Sequence, residues 1–224
     1  MSLSLKLEVV YEDNHLLIVN KPAMLPTMGV AEGENSLVTL AKQYLKQKYQ
    51  KPGNVYLGVV SRLDSWVSGV IVLARTSKSA ARLNAQFAKS SVKKVYWAIV
   101  AGEAPQNGEL ENWVLKNDSR RRMFCVDRNQ TGAKQARLRF ECIESRSDCS
   151  LVEIELLTGR KHQIRVQMAE AGMSILGDRK YGSTKPFTKG IALHSRCLEL
   201  THPTQKTELR FDVPPPSYWD LHQF

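Results

Sequence analysis

The sequence predicts an α+β protein built around a large sheet that is mixed or mostly antiparallel. Segments with strand-like patterns outnumber the helical ones, and the two kinds follow one another without a regular β-α-β-α order. Two late segments, 136–142 and 151–157, alternate apolar and polar residues, which is typical of antiparallel strands with one face in water. The sequence contains no Gly-x-Gly-x-x-Gly motif, which would indicate a doubly wound nucleotide-binding fold.

The helices are predicted from periodicity and capping residues. Ser36 is expected to be the N-cap of an amphipathic helix, because apolar residues recur at helical spacing from Leu37 to Leu45. Another helix is predicted over 162–171, closed by Gly172. The other predicted elements are a helix over 77–90 and strands over 6–11, 15–19, 55–60, 70–74, 94–100, 136–142, 151–157, 191–200 and 208–213.

The region 102–135 is polar and contains no predicted element. It carries a basic cluster that consists of Lys116, Arg120, Arg121 and Arg122. This region is a weak candidate for a domain boundary, and a single domain over residues 6–217 is preferred.

The charge balance favours a polyanionic partner. Lys and Arg number 32 against 22 Asp and Glu, which gives a formal net charge of +10. Nucleic acid is the natural partner for such an excess, although many basic proteins are merely soluble. A run of charges is also often only a solvated surface.

The cysteines and the apolar runs indicate the compartment. Cys125, Cys142, Cys149 and Cys197 form no Cys-x-x-Cys pair and have no histidine at zinc-finger spacing, so no metal site is predicted. They are interpreted as reduced thiols of a cytoplasmic protein, although a disulfide between two of them stays open. The N-terminus lacks a signal-peptide pattern, and the longest apolar run, 70–74, is too short to span a membrane. No membrane partner is expected.

Asp64 is the first candidate for chemistry. It follows a predicted strand and comes two residues after Arg62. A nearby guanidinium favours the ionised carboxylate and holds it in place. Arg-x-Asp is a common pattern and is usually structural, but segment 61–69 connects two predicted strands, where functional loops tend to lie.

Two further segments combine cations with aromatic rings or with a helix start. Lys94 and Tyr96 begin a predicted strand, and aromatic rings beside cations can stack on bases, although a half-buried strand explains this segment better by itself. The positive charge at the start of the predicted helix 162–171 favours a bound phosphate. The residues concerned are Arg160, Lys161, His162 and Arg165.

Six groups of short motifs occur in order along the chain. They are Asn20-Lys21-Pro22 with Leu25-Pro26, Arg62-Leu63-Asp64 with Ser68-Gly69, Lys94-Val95-Tyr96, Thr158-Gly159-Arg160 with His162-Gln163-Ile164-Arg165, Gly177-Asp178 with Tyr181-Gly182, and Leu193-His194 with His202-Pro203. Each match is ordinary by itself, but their joint order and spacing are highly specific. Over residues 8–215 the sequence resembles the RluA-type family of pseudouridine synthases.

The resemblance implies an isomerase with the pseudouridine synthase fold that acts on structured ribosomal or transfer RNA without a metal or organic cofactor. The N1–C1′ bond of uridine breaks, the uracil turns, and C5 bonds to C1′. The target base must first leave the RNA stack, which costs a few kcal/mol. Asp64 is then expected to act either as nucleophile at the sugar or as base at C2′, and both routes stay open.

The resemblance also implies roles for individual residues. Asp64 is the catalytic carboxylate, Tyr96 stacks on the base and transfers a proton, and Arg165 pairs with Asp64. Arg62 is associated with base flipping. The remaining expected RNA-binding residues are Lys21, Arg160, Lys161 and His162. Lys21 and the cluster Arg120–Arg122 could contact phosphates through their charge, but a solvated surface explains them equally well.

Two positions depart from the family pattern, which usually has His at Ser61 and Thr at Val67. They make substrate fit less certain and give some weight to an alternative, a non-catalytic RNA-binding protein on the same fold. A hydrolytic nuclease is a further alternative, but it would need clustered carboxylates for metal, and Asp64 has no acidic partner nearby in sequence. A monomer is expected, with one catalytic domain over residues 6–217 and no separate N-terminal RNA-binding domain.

Overall fold

A computed structural model of the chain describes residues 7–31 and 33–219. Within these residues the helices are α1 (Leu37–Lys48), α2 (Ser77–Ala88) and α3 (Gln163–Glu170). The strands are β1 (Glu8–Glu12), β2 (Leu16–Lys21), β3 (Gly58–Val59), β4 (Ser68–Ala74), β5 (Lys93–Ala101), β6 (Asn107–Asn117), β7 (Arg122–Val126), β8 (Lys134–Ser145), β9 (Cys149–Leu156), β10 (Leu193–Thr201) and β11 (Glu208–Asp212).

The predicted α+β class is confirmed. The strands belong to an eleven-stranded sheet, and each strand pair with a described register is antiparallel. Residue 6, at which the first predicted strand begins, lies outside the described residues. No helix in the described ranges is long and apolar enough to cross a membrane.

The chain divides into two compact units. Among the described residues, unit 1 consists of 7–31, 33–92 and 197–214, and unit 2 consists of 93–196 and 215–219. The division falls within β10. The single catalytic domain over 6–217 stays a prediction.

Unit 1 is built from antiparallel strands with α2 on its core. In this unit β1 pairs with β2, and β2 and β3 each pair with β4. Alternate residues of β2 and β4 belong to the same buried hydrophobic cluster as Leu83 of α2, which is fully buried. The strand residues concerned are Leu16, Ile18, Val70 and Val72.

The start of α1 follows the sequence prediction. The Ser36 side chain accepts a hydrogen bond from the Thr39 amide at 3.1 Å, and the Ser36 amide donates to the Thr39 side chain at 2.7 Å. These two bonds form a capping box, which satisfies amide groups that an uncapped helix leaves without partners. The helix therefore has a fixed first turn, to which the preceding loop is attached.

The strand predicted over 55–60 is much shorter in the structure. Only Gly58 and Val59 pair with β4, while Val55 and Leu57 are buried without strand pairing. A Cβ atom on Gly58 would lie 2.9 Å from the Cβ of Ala80, so this strand passes close to α2. The apolar pattern of 55–60 therefore reflects burial of a loop rather than a longer strand.

Unit 2 contains an antiparallel series of strands in the order β5-β9-β8-β6-β7. The expectation of no regular element in 102–135 was wrong, because β6 and β7 lie there. Strand β6 pairs with β8 along eight positions, and the exposed carboxylate of Glu109 lies 3.0 Å from the guanidinium of Arg139 across this pair. Such cross-strand partners stabilise a polar strand but are invisible in its local sequence.

Helix α3 and the last two strands agree with the predicted elements. The helix begins at Gln163 and ends at Glu170, and Gly172 follows in the left-handed conformation at φ 79°. Glycine adopts this conformation without steric cost, which suits it to a helix end. The buried core beside this helix includes Val166 and Tyr181.

Candidate active site

Asp64 lies in the connection between β3 and β4 of unit 1, and its side chain is partly exposed. Its backbone carbonyl accepts a hydrogen bond from the amide of Val67 at 3.1 Å, which closes a turn after Asp64. Arg62 is exposed, and Leu63 between them is buried. The segment thus presents two charged side chains from a backbone that is anchored by its apolar residues.

The hydroxyl of Thr27 fixes the backbone on the other side of Asp64. Its Oγ1 donates to the carbonyl of Leu63 at 2.7 Å and accepts from the amide of Leu63 at 3.3 Å. Thr27 is 4% exposed, so these bonds are shielded from water. Its own backbone carbonyl accepts from the amide of Val38 at 3.1 Å, which ties the loop to α1.

Lys21, at the end of β2, places a buried ammonium group near Asp64. The side chain is 0% exposed, and Nζ donates to the carbonyls of Pro22 at 2.9 Å, Leu25 at 2.8 Å and Ser65 at 3.4 Å. Burial lowers the pKa of Lys21 to about 7, and the negative charge of Asp64 partly offsets this. This position favours a role inside the protein over the phosphate contact expected from the sequence.

Arg165 is held by an acid within unit 2. Its Nε and Nη2 donate to the two carboxylate oxygens of Asp178 at 2.6 and 2.8 Å. The side chains are 5% and 1% exposed, so this is a buried two-point ion pair. The pairing of Arg165 with Asp64, implied by the family resemblance, stays a prediction.

Tyr181 contacts both Arg165, in the first turn of α3, and His162, which precedes the helix. The guanidinium carbons of Arg165 and Arg122 lie 5.0 and 4.7 Å from its ring centroid. Its hydroxyl accepts from the Met123 amide at 3.0 Å and lies 2.8 Å from Nδ1 of His162. Burial raises the pKa of Tyr181.

The loop before α3 is folded around the side chain of Gln163. Its Oε1 accepts from the hydroxyl of Thr158 at 2.8 Å and from the Arg160 amide at 2.9 Å, and its Nε2 donates to the carbonyl of Arg137 at 2.9 Å. Arg160 and Lys161 are exposed on this loop. Their positive charge is therefore presented by a backbone of defined shape.

Tyr96 lies on β5, opposite Ile154 of β9, and is partly buried. Burial lowers the pKa of the neighbouring Lys94. A Cβ on Gly159 would lie 3.5 Å from Nζ of Lys94, so this ammonium is next to the loop that precedes α3. The structure thus places Lys94 and Tyr96 on the same strand of unit 2, with the ammonium of Lys94 beside the loop that contains Gly159.

The predicted site residues fall into two groups. Unit 1 contains Lys21, Arg62 and Asp64, and unit 2 contains Tyr96, Arg160, Lys161, His162 and Arg165. Sequence reasoning did not single out Thr27 or assign roles to Gln163, Asp178 and Tyr181. Gln163, Asp178 and Tyr181 lie within the motifs quoted above, and that position was the available signal. Thr27 comes directly after the Leu25-Pro26 motif, and no sequence signal pointed to it.

Comparison with known proteins relates this geometry to a family. The family model described as RNA pseudouridylate synthase matches residues 15–170. A protein of Zymomonas mobilis named ribosomal large subunit pseudouridine synthase D is 34% identical over 96% of this chain and 71% of its own length. The chain belongs to the RNA pseudouridylate synthase family. Its resemblance to the RluA-type synthases is thereby confirmed.

Other relatives agree with this membership. The uncharacterized RNA pseudouridine synthase YhcT of Bacillus subtilis is 33% identical over 95% of this chain and 70% of its own length. The synthase D of Nitrosomonas europaea is 31% identical over 95% of the chain and 63% of its own length.

A solved structure shows the same fold. The structure of human RNA pseudouridylate synthase domain containing 4 matches with a TM-score of 0.79 at 24% identity, covering 95% of this chain and 90% of that one. The predicted pseudouridine synthase fold is confirmed.

Proposed function

We propose that this RNA pseudouridine synthase isomerises uridine in ribosomal RNA, with Asp64 as its catalytic carboxylate. The observation that carries the proposal is the fixed backbone of Asp64, held by Thr27 before it and by Val67 after it. A carboxylate on such a backbone meets the demand of catalysis for pre-organised groups. Relatives named as synthases of the ribosomal large subunit favour ribosomal over transfer RNA as substrate.

The proposed reaction conserves every atom of the nucleotide except for an exchange of hydrogen. The N1–C1′ bond breaks, the uracil turns, and C5 bonds to C1′. The hydrogen on C5 is then lost to solvent and N1 gains one. Asp64 acts at the sugar, as nucleophile at C1′ or as base at C2′.

Tyr96 and Arg165 are proposed to serve the same reaction. The aromatic ring of Tyr96 offers a flat face for stacking on the extruded uracil. Arg165 is proposed to pair with the Asp64 carboxylate, and the orientation of its guanidinium is set by the bidentate pair with Asp178. The exposed guanidinium of Arg62 is proposed to fill the space that the flipped base leaves.

The start of α3 is proposed to contact the RNA backbone. Arg160 and Lys161 are exposed on the loop that Gln163 holds, and cations on a defined loop suit phosphate binding. His162 is proposed to contact the RNA through Nε2, since its Nδ1 faces the Tyr181 hydroxyl. We further propose that the protein acts as a monomer in the cytoplasm.

The test is to incubate purified protein with total RNA from a strain that lacks its gene and to map new pseudouridine by chemical labelling. The expected result is new label at one or a few uridines of large-subunit ribosomal RNA, absent with Asp64→Asn. Label confined to transfer RNA would overturn the ribosomal assignment. RNA binding without any label would replace the enzyme by the binding protein that Ser61 and Val67 left open.

A further inference from the structure

Thr27 lies on the loop after β2, remote in sequence from Asp64. Two backbone hydrogen bonds tie this loop to the first turn of α1, from the Leu37 amide to the Pro26 carbonyl at 2.8 Å and from the Val38 amide to the Thr27 carbonyl at 3.1 Å. Because the capping box at Ser36 fixes that turn, Thr27 has a rigid support.

Its hydroxyl bonds to both polar groups of one residue. The Thr27 Oγ1 donates to the Leu63 carbonyl at 2.7 Å and accepts from the Leu63 amide at 3.3 Å. The Leu63 carbonyl belongs to the peptide group that ends at the Asp64 nitrogen, and a peptide group is planar. Fixing this oxygen therefore fixes the direction from which the chain enters Asp64.

The next peptide group is also restrained. The Asp64 carbonyl accepts from the Val67 amide at 3.1 Å. With the groups on both sides held, the Asp64 carboxylate can move mainly by rotation about its own side-chain bonds. The orientation of the carboxylate thus depends on a hydroxyl that does not belong to its motif.

We infer that Thr27 is a positioning residue of the isomerisation, which acts through the peptide group that carries Asp64. The inference rests on the proposed function, in which Asp64 is the catalytic carboxylate. A displacement of about 1 Å in a reacting group can reduce a rate about a hundredfold. The loss of the Thr27 hydroxyl is therefore expected to reduce the chemical step and leave RNA affinity intact.

The test compares variants that differ in a single oxygen atom. Thr27→Ser and Thr27→Ala both lack the γ-methyl group of threonine, but only serine retains the hydroxyl. The chemical step is measured under single turnover, as tritium released from C5-labelled uridine in large-subunit ribosomal RNA, and affinity is measured separately. We expect Thr27→Ser to retain the wild-type rate to within about threefold and Thr27→Ala to lose at least about tenfold, with little change in dissociation constant.

Thr76→Ala serves as a matched control for lost stability. The Thr76 hydroxyl caps α2 by accepting from the Ser79 amide at 3.1 Å and donating to the Ser79 hydroxyl at 2.8 Å, in the same unit. Circular dichroism measures the folded fraction of each variant, to which its rate is normalised. Should Thr27→Ala not fold, Thr27→Val, which keeps the side-chain size without the hydroxyl, takes its place with the same expected loss.

The outcomes separate this inference from the function on which it rests. A wild-type rate in Thr27→Ala, while Asp64→Asn is inactive, would overturn the positioning role and leave the proposed function standing. An equal loss in Thr76→Ala, or in Thr27→Ser, would also overturn it, because the hydroxyl on Leu63 would then not be the cause. No tritium release by the wild type would overturn both.

Discussion

Lys21 is fully buried, and its burial makes the stability of the protein depend on pH. Burial away from water lowers the pKa of Lys21 from 10.5 to about 7, and the negative charge of Asp64 opposes this shift in part. Between these values the unfolded chain holds the proton and the folded chain does not. The free energy of unfolding therefore rises with pH between about 7 and 10.5. Below pH 7 the folded chain carries the buried charge, so the full cost of burying it lowers the stability.

Lys21→Met is expected to flatten this pH dependence. The slope of unfolding free energy against pH should fall by up to about 1.4 kcal/mol per pH unit between pH 7 and 10, the value for one proton. Urea denaturation at several pH values measures the slope. Lys42→Met, on an exposed position of α1, is the control. An unchanged slope in Lys21→Met would show that the buried amine does not titrate in this window.

The buried pair of Arg165 and Asp178 governs stability in unit 2. Asp178→Ala removes the carboxylate that accepts two bonds from the buried guanidinium, and breaking a buried ion pair costs about 3–5 kcal/mol. Chemical denaturation measures this loss. Glu109→Ala, which removes an acid from an exposed pair with Arg137, is the control and should destabilise far less. Equal effects of the two changes would contradict the importance of burial at Asp178.

At the scale of elements, the Gln163 side chain makes three of the hydrogen bonds that hold the loop before α3. Gln163→Leu keeps a similar size but removes the bonds to Thr158, Arg160 and Arg137. The loop over 158–161 should then open more often, since buried polar groups lose their partners. Hydrogen exchange followed by mass spectrometry should show faster exchange in 158–161 and unchanged exchange in α1. Unchanged exchange in 158–161 would show that Gln163 does not hold the loop.

The elements differ in how far the sequence predicts them. Helix α1 was predicted to within a few residues because Ser36 and the apolar spacing are local signals. Strand β6 was missed because about half of its residues are exposed and its partners in β8 lie at least twenty residues later. Long-range pairing has no local pattern to reveal it.

The same contrast holds for the candidate site. The motif residues Asp64, Tyr96 and Arg165 were predicted through the family resemblance, which rests on the order and spacing of the motifs, and their roles stay a proposal. Asp178 and Thr27 act through partners 13 and 36 residues away, which only the folded chain brings together. Lys21 was expected at phosphates because it is a lysine, and its burial could not be seen in the sequence.

At the scale of the whole molecule, the net charge of +10 predicts that RNA affinity falls steeply with salt. Removing phosphate contacts should lower the slope of log affinity against log salt by about one per contact. Arg160→Ala with Lys161→Ala is therefore expected to lower the slope by about one to two. Filter binding over a salt series measures it. Lys42→Ala with Lys46→Ala, an equal charge change on α1, is the control, and an equal effect would argue against a specific contact by the loop.

The most direct test of the central claim is the single-turnover conversion of the mapped uridine by wild type and by Asp64→Asn. The wild type is expected to form pseudouridine, while Asp64→Asn is expected to bind the same RNA to within about twofold and to form none. Asp127→Asn, on an exposed turn of unit 2, should convert the uridine like the wild type. Conversion by Asp64→Asn at the wild-type rate would contradict the account, because the carboxylate placed by Thr27 would then not perform the chemistry.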